Sequence, residues 1–466
     1  MTRLLPFSPL RLIAALVFLL ILTASADARA ISVALSKNSP SLSISSSSAV
    51  TATDAGGRRH SLGTSPVFRT SGKGSVKAGS SVLRLPVTLS AKNLLTFNGR
   101  RYRGSLRLLS AGSGITLVNV LELEDYLRGV LKNEVSPAWP LEALKAQAIV
   151  SRTYALRSIS MNGGKGGYDL GDSYLSQVYR GINAEDKRTD KAIALTKGIV
   201  VLAGGSLAFT PFHSDSGGAT ADVSTVWGSS LPYLKGVCET VPSASPNSSW
   251  EVRLSSAAVE AALRDANADV GTLQELRIGE CDPFGRVNTL VAVGSRGSRT
   301  LKSHSFRMAA GSKVIRSTTF SIHPPKGGIL PAISVPAAKA PPSNPSRLSP
   351  ADVPTSNTPM SAAEEAQLTA LTEQSAFNGE ELMDMLLHPE KRKGYLVRAL
   401  RTQRPAAPSA PQPSLSSGTG DYVFRGKGWG HGVGLSQWGT KALAEQGWDH
   451  RKILAFYFPG TALGSR

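Results

Sequence analysis

The chain has 466 residues, 41% hydrophobic and only 18% charged, with 45 Gly and 28 Pro. That composition excludes a coiled coil, a long helical array and wholesale disorder, and the length allows about three domains. The formal charge is +19, from 52 Lys and Arg against 33 Asp and Glu, which favours polyanionic partners; the basic residues are scattered rather than blocked, so the expected contacts are with an anionic membrane or an acidic wall polymer, and nucleic acid is not expected.

Residues 1–30 read as a secretory signal peptide. Arg3 and Arg11 precede the apolar run 12–22, and small-residue triplets such as Ala24-Ser25-Ala26 follow. The run is too short for a membrane span of about 20 residues. The expected location is therefore outside the cytoplasm: periplasmic, wall-associated or secreted. Residues 31–117 are rich in Ser, Gly, Thr and Val, with alternating runs at 80–89 and 105–109, and read as a β-rich N-terminal region. The serine patch 41–48 reads as loop.

From 118 the pattern changes. Apolar residues at 123, 126, 127, 130 and 131 predict a helix. Val135-Ser136-Pro137-Ala138-Trp139-Pro140 must interrupt it, and a second helix starts near Pro140. Glu134 falls at the break. Strand-like runs at 198–202, 287–293 and 313–322 and a helix over 255–267 follow. Residues 324–360 contain ten Pro and 405–413 four more, flanking a helix-forming stretch at 361–400. Residues 421–466 are Gly-rich and aromatic, with a helix predicted at 437–445. The fold class expected is α+β: a β-rich N-terminal region, a mixed core with a cleft in two parts (118–323 and 421–466), and a Pro-rich helical insertion (324–420) between them.

Three places carry chemistry. Glu134, beside Trp139 and two prolines, has an apolar wall that would raise its pKa, and a carboxyl kept protonated can protonate a glycosidic oxygen. The loop 211–218, with His213, Ser214 and Ser216 and two closing glycines, suits a hydrogen-bonding cleft wall better than a nucleophile–base set, since the G-x-S-x-G elbow is missing. The block 426–439 has Gly at five alternating positions, with His431, Ser436 and Gln437; it is neither a phosphate loop nor a dinucleotide fingerprint. Its flanking Trp429 and Trp438 offer faces on which sugars stack. Cys238 and Cys281 are the only cysteines, and in an exported chain the expectation is one disulfide between them. No metal-ligand spacing is present, and no cofactor is expected.

These blocks together resemble the stage II sporulation protein D family, the SpoIID/LytB domain. The match lies in Asn133-Glu134-Val135 with Trp139-Pro140 and the following helix through Arg152-Thr153-Tyr154-Ala155, in Ser176-Gln177-Val178-Tyr179-Arg180-Gly181, in 212–218 with Val226-Trp227-Gly228, and in 428–439 with Tyr457-Phe458-Pro459-Gly460-Thr461. The resemblance implies action on peptidoglycan glycan strands as a lytic transglycosylase, with Glu134 as the general acid and base. It places Arg152, Tyr154, Gln177, Tyr179, His213, Ser214, Ser216, Trp227, His431, Ser436 and Gln437 around substrate, Arg152 orienting a carboxylate. The LytB branch implies an alternative: a non-catalytic enhancer whose partner is a cell-wall amidase. Some members hold a metal through Cys near the His-Ser loop; here Ser214, Asp215 and Ser216 stand there, and no metal is expected.

Overall fold

The computed structural model describes residues 29–325 (except 73, 163–165 and 173–176), parts of 353–402, and 420–466. All but the last two residues of the expected signal peptide, Ser176 and most of the two proline tracts lie outside the described residues.

Short alternating strands build the N-terminal region: β1 (Ala30–Ser39), β2 (Ser41–Ser43), β3 (Val50–Thr53), β4 (Arg59–Ser61), β5 (Val67–Thr70), β6 (Ser75–Ala78), β7 (Ser81–Arg84), β8 (Val87–Ala91), β9 (Leu95–Phe97), β10 (Arg100–Tyr102), β11 (Ser105–Ala111) and β12 (Gly114–Glu122). With β13 (Leu170–Gly171), one sheet runs β13-β1-β12-β11-β8-β3-β4 and a second runs β2-β5-β6-β7. Both present Val, Leu, Ile and Phe to a common core, including Leu42, Ile44, Phe68, Leu83 and Leu106. The serine patch is therefore not all loop. Leu42 and Ile44 alternate with Ser and are buried, a period-two pattern that makes 41–43 a strand.

β12 runs directly into α1 (Leu123–Glu134). Val135 is extended, Pro137 disfavours helix before it, and α2 (Leu141–Asn162) begins after Pro140. α2 is buried around most of its circumference, as expected for a helix between two cores. Leu144, Ala148 and Ala155 enter the first core, while Ala146, Ile149, Val150 and Tyr154 enter a second. α3 (Lys187–Leu195) adds Ala192 and Ile193 to the first core, against which β15 (Ser206–Leu207) also packs, and β14 (Ile199–Ala203) contributes to both cores; the second is completed by β16 (Phe212–His213), α4 (Val223–Trp227) and C-terminal elements introduced below. A third core is built by β17 (Trp250–Ser255), α5 (Ser256–Asp265), β18 (Leu273–Ile278), β19 (Thr289–Gly294), β20 (Gly297–Lys302), α6 (Ser303–Ala310) and β21 (Thr319–His323). The expected strand at 313–322 is a turn that becomes strand only at Thr319.

The insertion leaves after β21. Its described residues include α7 (Arg392–Thr402) and a small core of their own around Leu371, Phe377, Met385, Tyr395 and Leu396. It touches the main body where the Tyr168 hydroxyl donates to Glu365 at 2.9 Å. The chain returns as β22 (Asp421–Lys427), which pairs antiparallel with β21 from His323–Val423 to Thr319–Lys427. The ends of the excursion thus lie side by side, so a long insertion replaces what would otherwise be a hairpin loop, a change that closure entropy tolerates. β23 (Leu435–Ser436), α8 (Gln437–Glu445), α9 (His450–Tyr457) and β24 (Ala462–Ser465) follow, β23 beside β16 and β24 beside β14. The C-terminal block therefore closes both the third and the second core. Residues 31–117 hold twelve Lys and Arg against one acid, Asp54, so the N-terminal region carries much of the positive charge.

Candidate functional site: a carboxyl at the joint of two helices

Glu134 is the last residue of α1 and is half-buried. Its carboxylate accepts from the Val178 backbone N–H and the Gln437 side chain, and burial outweighs both and raises its pKa. Among the described residues no Lys or Arg pairs with it. The neighbouring acids differ: Glu142 is drawn down to about 2 by Lys145 and His450 against its burial.

The residues that deliver these two donors come from far along the sequence. Tyr179 lies flat against Gly129 of α1, where an added Cβ would meet the ring at 2.4 Å, and its hydroxyl donates to Asn119 at 2.7 Å. Asn133 donates to the Val178 carbonyl at 3.2 Å. Together these aim the Val178 N–H at Glu134. Gln437 opens α8, which Ser436 caps by accepting from the Gly439 N–H at 3.2 Å. Trp438 packs on Trp139 with centroids 5.2 Å apart, and its N–H donates to the Ser214 carbonyl at 3.0 Å. Tyr154 adds a hydroxyl pushed up to about 12 by burial, with Glu134 also raising it.

The structure thus brings together Glu134, Gln437 and Tyr154, with half-exposed Ser214 in the bend that follows β16. Other expected cleft residues form the supporting wall. Gln177 is buried, accepting from Tyr126 at 3.1 Å. The His431 Nδ1 accepts from the Val433 N–H at 3.0 Å, so its Nε2–H donates to the Phe212 carbonyl at 3.0 Å. Burial pushes His431 down to about 3, fixing it neutral. His213 donates through Nδ1 to the Val433 carbonyl at 3.1 Å; burial, followed by His431, holds its pKa well below the usual range. The Ser216 hydroxyl donates to Glu239 at 2.6 Å rather than engaging His213. Trp227 is buried against His431, centroids 4.7 Å apart.

Two expectations are corrected. Arg152 does not orient Glu134 or face the cleft: it is fully buried, and its guanidinium makes a two-pronged pair with Glu124, both bonds 2.8 Å. Arg152 sits on the α2 turn that faces the start of α1, whereas Glu134 lies at the other end of that helix. Cys238 and Cys281 are free and exposed, not joined. Each is committed to a different local ladder, Cys238 opposite Ala219 and Cys281 opposite Val287.

Residue-pattern reasoning missed Glu239, which has no motif around it. It accepts from Ser216 and, at 2.7 Å, from the Tyr457 hydroxyl, and so ties the 213–218 loop to α9. Burial raises its pKa despite these donors. Arg286 was also missed; fully buried, it donates to the carbonyls of Ser216 at 2.5 Å and Ala219 at 2.8 Å. Among the described residues no group of three or more His, Cys, Asp or Glu is placed to hold a metal.

The fold and site define a class: an α+β protein in which a desolvated carboxyl at a helix break is closed over by a discontinuous C-terminal block. The SpoIID family model, described as stage II sporulation protein, matches residues 111–202, a span that includes Glu134 and its helices. An uncharacterized protein of Brachyspira hyodysenteriae is 31% identical over 245 residues, 52% of this chain and 65% of that protein. The amidase enhancer of Bacillus subtilis is 28% identical over 389 residues, 83% of this chain and 47% of the enhancer. Stage II sporulation protein D of the same organism is 32% identical over 135 residues, 26% of this chain and 39% of that protein. The chain spans less than two thirds of the length of each. Residues 111–202 thus match the SpoIID family, and the chain is similar to proteins named stage II sporulation protein D and amidase enhancer.

Proposed function

We propose that this protein remodels peptidoglycan outside the cytoplasm as a lytic transglycosylase, cutting between N-acetylmuramic acid and N-acetylglucosamine. The observation that carries the reading is the Glu134 carboxyl: half-buried, raised in pKa and held by neutral donors. A carboxyl with a cationic partner would be held in its ionised form; without one, and with burial raising its pKa, Glu134 is the better proton donor.

In the proposed reaction, protonated Glu134 donates to the bridging oxygen as the bond from the muramic acid C1 to that oxygen breaks. The resulting carboxylate takes the proton from the same sugar's C6 hydroxyl as O6 bonds to C1, leaving a 1,6-anhydro ring and a reprotonated Glu134. The nucleophile belongs to the substrate, so the second carboxyl of the usual glycosidase pair is not needed. Gln437 and the Val178 N–H stabilise the carboxylate between the two proton transfers. The test is mass analysis of products from purified glycan strands. Wild type is expected to release anhydro ends, and Glu134→Gln, which keeps the shape but not the acid, is expected to lose about 100-fold or more in rate. Unchanged release by the variant refutes the assignment.

A second reading is favoured by the alignment with the amidase enhancer, which covers 83% of this chain: a module that attaches to the wall and stimulates an amidase. It makes no anhydro ends alone and accelerates an amidase whether or not Glu134 is intact.

A further inference from the structure

We propose that Trp429 and Arg316 form a distal glycan subsite, in which a pyranose ring lies on the indole and the guanidinium takes the carboxylate of an acidic sugar. The inference rests on the glycan-cleaving reading and names where the strand continues beyond the bond that is cut.

Trp429 is 37% exposed, whereas Trp139, Trp227 and Trp250 are each below 10%. An indole face open to water is an apolar surface with a polar edge, the kind on which a sugar ring stacks. The exposure is not that of a loose loop. The Trp429 N–H donates to the Asp215 carbonyl at 2.8 Å and its carbonyl accepts from the Asp215 N–H at 3.0 Å. On either side, the Gly428 N–H donates to the Asn247 carbonyl at 2.8 Å and the Gly430 N–H to the Arg316 carbonyl at 2.9 Å. The backbone is fully engaged in presenting the ring outward.

Arg316 is placed on the indole, its guanidinium carbon 5.4 Å from the ring centroid, and Nη1 donates to the Asn247 side chain at 3.4 Å. Among the described residues no carboxylate pairs with it. A second arginine supports the backbone at this point: Arg307 donates through Nε to the Arg316 carbonyl at 3.1 Å. A planar fork with unused donors and no carboxylate partner among the described residues suits a carboxylate, while the indole supplies the apolar face that a sugar ring covers. A muramyl residue, which carries both a pyranose and a lactyl carboxylate, matches the pair.

The position fits a strand running away from Glu134. Ser214 receives the N–H of Trp438, the neighbour of Gln437 that contacts Glu134, and Asp215, the next residue, pairs with Trp429. A chain of backbone hydrogen bonds therefore links the segment that carries Gln437 to the exposed indole.

The full chain carrying Glu134→Gln, which leaves strands uncut, is titrated calorimetrically with two tetrasaccharides: a neutral N-acetylglucosamine oligomer and an alternating muramyl oligomer bearing lactyl carboxylates. Adding Trp429→Ala is expected to weaken both by about tenfold, while Trp429→Phe, which keeps a ring, stays within about threefold. Adding Arg316→Met is expected to weaken only the acidic ligand, by about tenfold. Circular dichroism melts check that each variant is folded, and Arg316→Met tests the site without altering the indole. Unchanged binding of both ligands by Trp429→Ala and Arg316→Met overturns the subsite. Equal weakening of both ligands by Arg316→Met overturns the acidic preference. Loss of amidase stimulation in Trp429→Ala with glycan binding intact overturns the glycan in favour of a protein partner. Should wild type fail to cleave while these binding shifts appear, the transglycosylase reading fails and the subsite stands.

Discussion

Replacing Arg152 by Met separates a structural role from one in orienting the reacting carboxyl. The guanidinium is fully buried and makes two bonds to Glu124, whose side chain is 24% exposed, plus contacts to the carbonyls of Ile193 at 3.3 Å and Ile199 at 3.2 Å. Removing one partner of a buried pair costs about 3–5 kcal/mol because the other is left without compensation. The partial exposure of Glu124 lets water relieve some of that, placing the variant near the lower end, at about 3 kcal/mol. The double variant Glu124→Leu/Arg152→Met removes the orphaned charge along with its partner and is expected to recover most of the loss. Urea unfolding of the single and double variants, with turnover on glycan strands per folded molecule across pH, reads both quantities. The pH dependence of turnover is expected to match wild type in each. Wild-type stability with lost turnover or a displaced pH profile in Arg152→Met would refute the structural assignment.

Gln437→Leu removes a donor that favours the ionised form of Glu134. The folded carboxyl, already raised by burial, rises further, so its protonated form persists to higher pH and the alkaline limb of turnover moves upward; a limb that stays or moves down contradicts the role given to Gln437. Gly430 has φ +130°, and an added Cβ would stand 2.5 Å from the Cβ of His213. Gly430→Ala is therefore expected to cost about 2–4 kcal/mol from strain and overlap, measured as a lower unfolding midpoint, with turnover falling as the loop pulls Gln437 away. On the second N-terminal sheet Arg69 and Lys77 stand directly opposite each other, both exposed. Lys77→Glu is expected to stabilise by about 0.5 kcal/mol in low salt, and the gain should vanish in high salt, where exposed charges are screened.

Where structure follows from short-range pattern, the sequence is a sufficient guide. The helix at 437–445 has the observed bounds, because a capping serine and an amphipathic run are local features. The break around 135–140 is likewise legible from Pro137 and Pro140, and with it the place of Glu134 at the end of a helix. The strand at 41–43 was legible too, in the alternation of Leu42 and Ile44 with serines, but serine-rich composition concealed it.

Tertiary structure alone decided which groups meet. Arg152 and Glu134 lie 18 positions apart on neighbouring helices, yet the α1–α2 crossing hands the guanidinium to Glu124. Glu239 acquires partners at 216 and 457 only because the C-terminal block returns past the insertion to close the second core. The proton affinity of Glu134 depends on Val178 and Gln437, delivered by a tyrosine seated on Gly129 and by a tryptophan packed on Trp139. A hydrogen bond or a desolvated carboxyl needs atoms within about 3 Å, and for residues separated by tens or hundreds of positions only the packed chain sets that distance.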